Sequence, residues 1–162
     1  MPPTAITPSV RFFRPGTTKV IWVRTIVTYT APTRTEINLG TDLSGEIAEI
    51  SGFSVASDTI PTPDLGTRFV PKIAGRINAD DSSLNFYASS TGFTDARSVL
   101  PRDTTGFLII MDGGDVATTG RMDVFPATVT SVPKLRALED PAQVQVTFAI
   151  TRVPAEDVVI PV

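Results

Sequence analysis

The stretch that decides the fold is Lys19–Tyr29, KVIWVRTIVTY, in which nearly every residue is β-branched or aromatic. Residues of these types favour β-strands. Apolar side chains would lie on both faces of this strand: Val20, Trp22 and Ile26 on one, and Ile21, Val23 and Val27 on the other. A strand that is apolar on both faces is normally covered on both sides, and we predict such cover here.

Alternating apolar and polar residues predict further strands elsewhere in the chain. These strands are Ser83–Ala88, Gly106–Met111, the segment from Arg121 to Val129, and Gln143–Arg152. In the segment from Arg121, Met122 and Val124 alternate, and the pattern then resumes one residue out of step at Phe125. This slip predicts a β-bulge at Phe125–Pro126, where the missing amide hydrogen of proline is tolerated.

One segment has a convincing helical pattern. Thr94 is a typical N-cap residue, the segment 95–100 follows it, and Pro101 would end the helix. Thr41–Ile50 fits either a helix or a strand, and we favour a strand after Gly45. The 11 glycines and 14 prolines leave little room for longer helices. The predicted fold is therefore mainly β, an antiparallel sandwich or barrel with one short helix at about 94–100.

Two long segments show no regular period. Residues 1–18 are predicted to be an N-terminal arm, and residues 58–76 a long loop within a single β-sandwich domain spanning residues 19–162. Long loops in compact domains are usually functional or disordered. The arm carries Phe12 and Phe13, and the loop carries Leu65 and Phe69. This apolar content favours contact with a partner over disorder.

Charges are sorted along the sequence. Through Thr35 the chain has basic residues and no acidic one, whereas Glu36–Gly66 has acidic residues and no basic one. This sorting is compatible with an ordinary solvated surface. It is equally compatible with self-assembly, in which the basic arm of one copy meets the acidic segment of another.

Composition argues against most enzyme classes. The chain has no Cys and no His, which removes thiol nucleophiles, imidazole bases, disulfides and the usual zinc and haem ligands. The segment Asp112–Asp115, DGGD, has the residues of a turn and lacks the remaining ligands of a calcium loop. Neither a GxGxxG sequence nor a P-loop sequence occurs. We expect no enzymatic activity and no cofactor.

Binding to nucleic acid or to a membrane is also not indicated. The net charge of −3 does not suit a protein that holds nucleic acid on a basic surface. The longest apolar run, Phe107–Met111, is too short to span a bilayer, and we expect no membrane insertion. Trp22, Tyr29 and Tyr87 could stack on a sugar, but Trp22 lies within a strand that is apolar on both faces and is predicted to be core.

Several segments, in this order, resemble the major tail tube protein of long, non-contractile-tailed (siphovirus-type) bacteriophages. They are the run Thr41–Phe53, Pro61–Phe69, Asp81–Tyr87, Leu100–Asp103 with Gly106 and Phe107, Met122–Pro126 and Phe148–Arg152. The variant is most similar to those of phages that infect actinobacteria. The resemblance covers residues 19–162, nearly the whole chain.

The resemblance implies a structural virion protein. Subunits would form hexameric rings that stack into a tube around a tape measure protein, with tail terminator and distal tail proteins at its ends. The tube would later conduct viral DNA into the host without binding it specifically. The protein would be located in the phage tail and assembled in the host cytoplasm.

The resemblance and the sequence pattern together predict contact and channel residues. The predicted contacts between subunits or rings are Arg11, Phe12, Phe13, Arg14, Pro61, Asp64, Leu65, Arg68 and Phe69. The predicted carboxylates of an acidic lumen are Glu36, Glu46, Glu49 and Asp123. Acidic walls avoid the phosphate contacts that would retain DNA.

Three alternatives remain from the sequence. A tail terminator or head–tail joining protein would share the fold and form a single ring. A carbohydrate-binding β-sandwich would need exposed aromatic residues. A glycoside hydrolase would need two carboxylates in one cleft.

Overall fold

A computed structural model describes residue 3, residues 5–91 and residues 95–162. Within these residues the chain forms antiparallel strands and two short helices. In chain order they are β1 (Lys19–Val23), α1 (Arg34–Asn38), β2 (Thr41–Asp42), β3 (Ile47–Ser51), β4 (Val55–Pro61), β5 (Lys72–Ala79), β6 (Ser82–Tyr87), α2 (Ala96–Val99), β7 (Thr105–Met111), β8 (Arg121–Ser131), β9 (Lys134–Leu135), β10 (Gln143–Ile150) and β11 (Ala155–Val159). The expectation of a mainly β fold is confirmed.

One large sheet contains most of the strands, in the order β2-β1-β7-β8-β10-β6-β3, with β11 added to β8 and β9 to β10. Strands β4 and β5 form a separate hairpin. Trp22 of β1 and Phe86 of β6 come from opposite parts of the strand order, yet they belong to the same buried core. The sheet therefore curls around this first core in the manner of a barrel.

Aromatic rings fill the middle of the first core. Phe53 lies with its ring centroid 5.4 Å from that of Phe125 and 5.7 Å from that of Phe148. The indole of Trp22 lies 5.9 Å from Phe148, and only 2% of Trp22 is exposed. Such offset and tilted ring pairs are the preferred geometries of aromatic contacts. Trp22 is a core residue, as its position in the apolar strand predicts.

A second core covers half of the outer face of the curled sheet. Val23 of β1, Ile109 of β7 and Val124 of β8 point outward into it. Ile37 of α1 and Ile160, which follows β11, close it from the other side. Strand β1 is thus covered on both sides, in agreement with the sequence.

Strand β1 is shorter than the sequence predicts, because it ends at Val23 and not at Tyr29. The chain leaves the sheet there and forms the cover of the second core. Ile26 is buried in that core rather than on the face of Trp22, and Val27 is 90% exposed. The β-branched residues after Val23 therefore belong to the segment that covers the second core and are not part of β1.

The predicted bulge at Phe125–Pro126 was wrong. Pairing between β7 and β8 runs without a break from Thr105 opposite Thr128 to Ile110 opposite Asp123. The hydrophobic pattern slips because Val124 faces the second core whereas Phe125 faces the first. Successive strand residues point to opposite faces, so the slip marks a change in which face is covered.

Along one edge, β8 pairs first with β11 and then with β10, and Pro126 lies between these two paired stretches. Its carbonyl accepts a hydrogen bond from the Thr151 amide at 2.9 Å, outside both ladders. The amide hydrogen that proline lacks would point to the same side as this carbonyl, so no ladder bond is lost.

Helix α2 confirms the predicted helix. Asp95 caps it by accepting a hydrogen bond from the Arg97 amide, and the predicted N-cap Thr94 lies outside the described residues. The sequence interpretation missed helix α1. Its signal is the capping box Thr33-x-x-Glu36, in which each side chain accepts a hydrogen bond from the other residue's amide. Strand β3 confirms the preference for a strand after Gly45.

The segment 58–76 is not an irregular loop. Residues 58–61 belong to β4 and residues 72–76 to β5, which pair as a hairpin with Val55 opposite Ala79 and Pro61 opposite Lys72. Only residues 62–71, the link between the two strands, form a loop. A register shift near Asp58 breaks the alternation that would reveal the strands. The prolines at 61 and 71 lie at the end of β4 and just before β5, where they do not interrupt the ladder.

Candidate assembly surfaces

The hairpin of β4 and β5 projects with both of its faces exposed. Almost every residue of the two strands is exposed, although Ile60 and Ile73 stand directly opposite each other on one face. In the link between the strands, Leu65 is fully exposed and Phe69 is 76% exposed. A two-stranded hairpin is only marginally stable alone, so this one is suited to contact with another surface.

Hydrogen bonds order the link at the tip of the hairpin. The Asp64 carboxylate accepts from the amides of Gly66 at 2.7 Å and Thr67 at 3.0 Å. The Thr62 amide donates to the Pro71 carbonyl at 2.8 Å. The predicted contact residues Pro61, Asp64, Leu65, Arg68 and Phe69 therefore lie together at one end of the hairpin. Asp64 has an internal role there, since its carboxylate closes the turn.

The N-terminal arm is a second exposed apolar segment. Residues 5–13 have no helix or strand and are exposed throughout. Ile6 and Val10 are each 94% exposed, and Phe13 is 77% exposed. The arm meets the domain at a turn in which the Thr18 amide donates to the Arg14 carbonyl at 2.9 Å.

Ion pairs within the chain use part of the basic segment. Arg14 contacts Asp112 at 2.8 Å, and Lys19 contacts Asp42 at 3.0 Å. Arg34 donates two hydrogen bonds of 2.8 Å to Asp115, which raise the pKa of Arg34. The DGGD turn thus supplies anions to two basic residues of its own chain. Arg11 and Arg24 form no ion pair among the described residues.

The four predicted lumen carboxylates do not lie together. Glu36 accepts from the amides of Val27 and Thr33, each at 2.8 Å, and these bonds lower its pKa. Asp123 of β8 accepts from the Asp157 amide at 2.8 Å. Glu36 holds the start of α1, which covers the second core, whereas Asp123 lies between Met122 and Val124 of that core and therefore points to the opposite face of β8, the face of the first core.

Glu46 and Glu49 lie at the other side of the sheet. Glu46 is in the turn before β3, where its carbonyl accepts from the Tyr87 amide at 3.1 Å. Glu49 of β3 accepts from the Asn85 side chain at 2.8 Å. Asn85 is on the outer face, since its neighbours Leu84 and Phe86 point into the first core.

The outer face of the sheet has a second half that no element of the described chain covers. This uncovered face is the outer face of β3, β6, β10 and residues 128–131 of β8. Strand register places the ring of Tyr87 on it, opposite Gln143, together with uncharged polar side chains, among them Ser83, Asn85, Gln143, Gln145, Thr147, Thr128 and Ser131. The sequence interpretation did not single out this face, although the alternation in Gln143–Ile150 carries the signal.

The structure does not support the sites that would indicate other functions. Trp22 is in the first core, whereas Tyr29 stacks on Phe107 beside the second core with ring centroids 6.1 Å apart. They form no joint platform with Tyr87. Asp112–Asp115 is a turn, in which the Gly114 amide donates to the Met111 carbonyl at 3.1 Å. Over the described part of the chain, no three Cys, His, Asp or Glu residues are grouped as metal ligands.

No helix within the described ranges is long and apolar enough to cross a membrane.

Sequence comparison assigns the chain to a family. The family model of the phage tail tube protein matches residues 5–162, which include the arm, the hairpin and the whole sheet. The chain belongs to the phage tail tube protein family. It is therefore a structural component of a phage tail and of the virion. No curated protein is significantly similar to it in sequence.

Solved structures from an extracellular contractile injection system and from the anti-feeding prophage share the fold of this chain. One is from the sheath/tube terminator of an extracellular contractile injection system, PVC, in the extended state. It has 15% identity and a TM-score of 0.59, over 91% of this chain and 96% of that chain. Another is from the tube-terminating cap of the anti-feeding prophage, with 18% identity and a TM-score of 0.54, over 91% and 93% of the two chains. A third is from the anti-feeding prophage baseplate, with 14% identity and a TM-score of 0.57, over 91% and 95%.

Proposed function

We propose that this tail tube protein forms hexameric rings that stack into the tube through which viral DNA passes into the host. The observation that carries the proposal is the pair of exposed apolar segments, the hairpin of β4 and β5 and the arm. Neither is buried by its own chain, and both lie within the part of the sequence that matches the family.

The exposed apolar residues can supply the association energy. Leu65 and Phe69 at the hairpin tip and Val10 and Phe13 in the arm are largely exposed. Full burial of such a side chain contributes about 1.5–3 kcal/mol. Repetition of these contacts around each ring and between rings would offset the entropy of ordering the arm.

Charged residues would mainly orient the subunits. Arg11 and Arg68 are the basic residues of the predicted contact set that have no ion pair in the described chain, and both are exposed. Exposed ion pairs contribute only about 0–1 kcal/mol each. Their expected role is to select the register of one subunit on the next.

We further propose that the tail is of the long, non-contractile type found in phages that infect actinobacteria, because the sequence segments from Thr41 to Arg152 resemble that variant. Rings would assemble in the host cytoplasm around a tape measure protein, and terminator and distal tail proteins would close the two ends. Since the chain has no Cys, no His and no phosphate-binding loop, we infer no catalytic role.

A tail terminator is the second candidate. Solved proteins that share the fold are described as a tube terminator and a tube-terminating cap. A terminator forms a single ring, because one of its two ring faces does not accept a further ring.

Negative-stain electron microscopy of the purified protein at increasing concentration tests the proposal. Filaments with a central channel and a regular axial repeat support a tube protein. Isolated rings at every concentration favour the terminator. Monomers under all conditions, with or without a polymerising co-solute, would contradict both.

A further inference from the structure

The hairpin of β4 and β5 joins the domain through a short neck of two chain segments. The neck consists of residues 52–54, between β3 and β4, and residues 80–82, which end at the first residue of β6. On one side of it, an open cleft of about 350 Å³ lies between the base of the hairpin and the segment 148–154. Ile77 of β5 lines this cleft and is 61% exposed. Because packing against the domain does not hold the hairpin on this side, the neck has to set its direction.

The backbone of the neck is left-handed at two successive residues. Gly52 has a φ of 77°, and Phe53 has a φ of 55°. Glycine adopts a positive φ readily, but a bulky residue rarely does. Such a conformation persists only where the surrounding structure enforces it, so the contacts of Phe53 have to hold it in place.

Phe53 is held both by its ring and by its amide. The ring is buried in the first core against Phe125 and Phe148. The amide donates to the hydroxyl of Ser82 at 2.9 Å. Ser82 is fully buried, and its hydroxyl donates in turn to the Asp80 carbonyl at 3.0 Å. This one hydroxyl therefore ties the two segments of the neck together, and its removal would leave a buried amide without a partner.

The two segments of the neck are also in direct contact. A Cβ atom on Gly52 would lie 2.4 Å from the carbonyl oxygen of Asp81 and 2.8 Å from the Cα of Ser82. Both are backbone atoms, so a larger residue at position 52 would push the segments apart. Nearer the hairpin, the Asp80 amide donates to the Ser54 carbonyl at 3.1 Å, and the Ser54 hydroxyl donates to the Asp80 carboxylate at 2.5 Å.

We propose that the neck is a rigid clamp that fixes the direction of the hairpin in the free subunit, with Gly52, Phe53 and Ser82 as its positioning residues. The hairpin tip then meets another surface without first losing the freedom of a swinging segment. Holding a binding segment in its bound direction saves this entropy on association. The consequence for assembly rests on the proposed tube, whereas the direction of the hairpin is a property of the single subunit.

Distances between two spin labels in the free subunit test the clamp, because the chain has no Cys and the introduced thiols are its only ones. One label is placed at Lys72→Cys, an exposed position at the start of β5 next to the tip, and the other at Thr35→Cys, an exposed position of α1. Pulsed electron paramagnetic resonance should give a single narrow distance distribution. Gly52→Ala, which forces the neck apart, should lose the narrow peak. Ser82→Ala is the milder second variant, and circular dichroism shows whether each one is folded.

Each variant has a matched control. Gly16 has a φ of 82° and no atom near the position of a Cβ, so Gly16→Ala carries the same backbone cost without a collision. The Ser44 hydroxyl accepts from the Val20 amide at 2.9 Å, so Ser44→Ala removes the same kind of bond away from the neck. Both controls should keep the narrow distribution. A broad distribution in the unmodified protein, an unchanged one in both neck variants, or equal broadening in the controls would overturn the clamp.

Assembly of unlabelled protein tests the consequence of the clamp. Ser82→Ala should raise the protein concentration at which tubes form, whereas Ser44→Ala should not. Because Ser82 is buried, it makes no contact with another copy, and its effect has to act through the hairpin. Tubes from Ser82→Ala at the concentration of the unmodified protein would contradict a role of the clamp in assembly. Absence of tubes from the unmodified protein would reject the proposed function, and the distance measurement would still decide whether the clamp exists.

Discussion

Asp95 is the buried acidic residue that holds the start of α2. Its carboxylate accepts from the Arg97 guanidinium at 2.6 and 2.7 Å and from the amides of Ser89 and Arg97, each at 3.1 Å. The side chain is only 3% exposed. The hydrogen bond from Arg97 is the main reason that the pKa of Asp95 falls from 3.8 to about 2. The charged form of Asp95 therefore stabilises the fold.

We predict that Asp95→Asn lowers the free energy of unfolding by about 2 kcal/mol at neutral pH, because the amide cannot replace the charge-assisted bonds to Arg97. The contribution of Asp95 is present above its unfolded-state pKa of 3.8 and is lost as the pH falls towards its folded-state pKa of about 2. The difference from the unmodified protein should shrink at about pH 3. Urea unfolding at both pH values measures it.

Asp140→Asn is the matched control, since Asp140 is exposed in the link before β10. It should leave the free energy of unfolding within about 0.5 kcal/mol of the original. A loss at Asp95→Asn that is the same at both pH values would contradict the assigned role of the charge.

Single residues could be predicted from the sequence where their neighbours in the chain determine their environment. The alternation around Trp22 and Phe148 correctly indicated that both are buried. Glu36 was interpreted only as a lumen carboxylate, although Thr33 three residues earlier forms a capping box with it. Its bond to the Val27 amide depends on a loop whose path no local pattern gives.

At the scale of elements, the hairpin of β4 and β5 has no stabilising cover from its own chain. Its apolar tip is held outward by hydrogen bonds within the turn at Asp64. Substitution at this tip is therefore expected to change assembly without changing the folding of the subunit.

We predict that the double substitution Leu65→Ser and Phe69→Ser abolishes tube formation while changing the free energy of unfolding of the subunit by no more than about 0.5 kcal/mol. Both side chains are exposed in the subunit, so only contacts with other copies are lost. Sedimentation and electron microscopy measure assembly, and urea unfolding measures stability.

Leu138→Ser is the control for a general loss of surface hydrophobicity, because Leu138 is also fully exposed but lies between β9 and β10. It should form tubes normally. Tubes of normal length from the double variant would show that the hairpin tip is not an assembly contact.

The sequence predicted those elements whose hydrophobic period is uninterrupted, such as β10 and β6. It failed for the hairpin, because the register shift at Asp58 and the exposed faces of both strands remove the alternation. The predicted bulge in β8 was wrong for a related reason. A pattern shows that a side chain is buried but not which of two cores buries it.

At the scale of the whole molecule, the arm and the domain are structurally separate. Residues 5–13 are exposed, and the first hydrogen bonds between backbone groups that involve this end of the chain occur at Arg14. The sequence predicts an apolar arm, but it cannot show which surface receives it, because under the proposed assembly that surface would belong to another subunit.

We predict that deletion of residues 1–13 leaves the domain folded, with unchanged far-ultraviolet circular dichroism, and prevents stable tubes from forming. Arg11→Ala should slow assembly most visibly at low salt, where exposed charges are least screened. Arg136→Ala, at an exposed position outside the predicted contacts, should not. Light scattering over time measures the rate, and truncated protein that still polymerises normally would rule out the arm as a contact.

The change of face between Val124 and Phe125 also bears on how the subunit unfolds. Because these adjacent residues belong to different cores, the barrel interior and its outer cover share one central strand. Loss of packing in either core frees β8 and removes support from the other, so the two cores should melt together as one cooperative unit. Trp22, the single tryptophan, reports on the first core alone. Its fluorescence should therefore change at the same urea concentration as the circular dichroism of the whole sheet, and two separate midpoints would mean that the cores unfold independently.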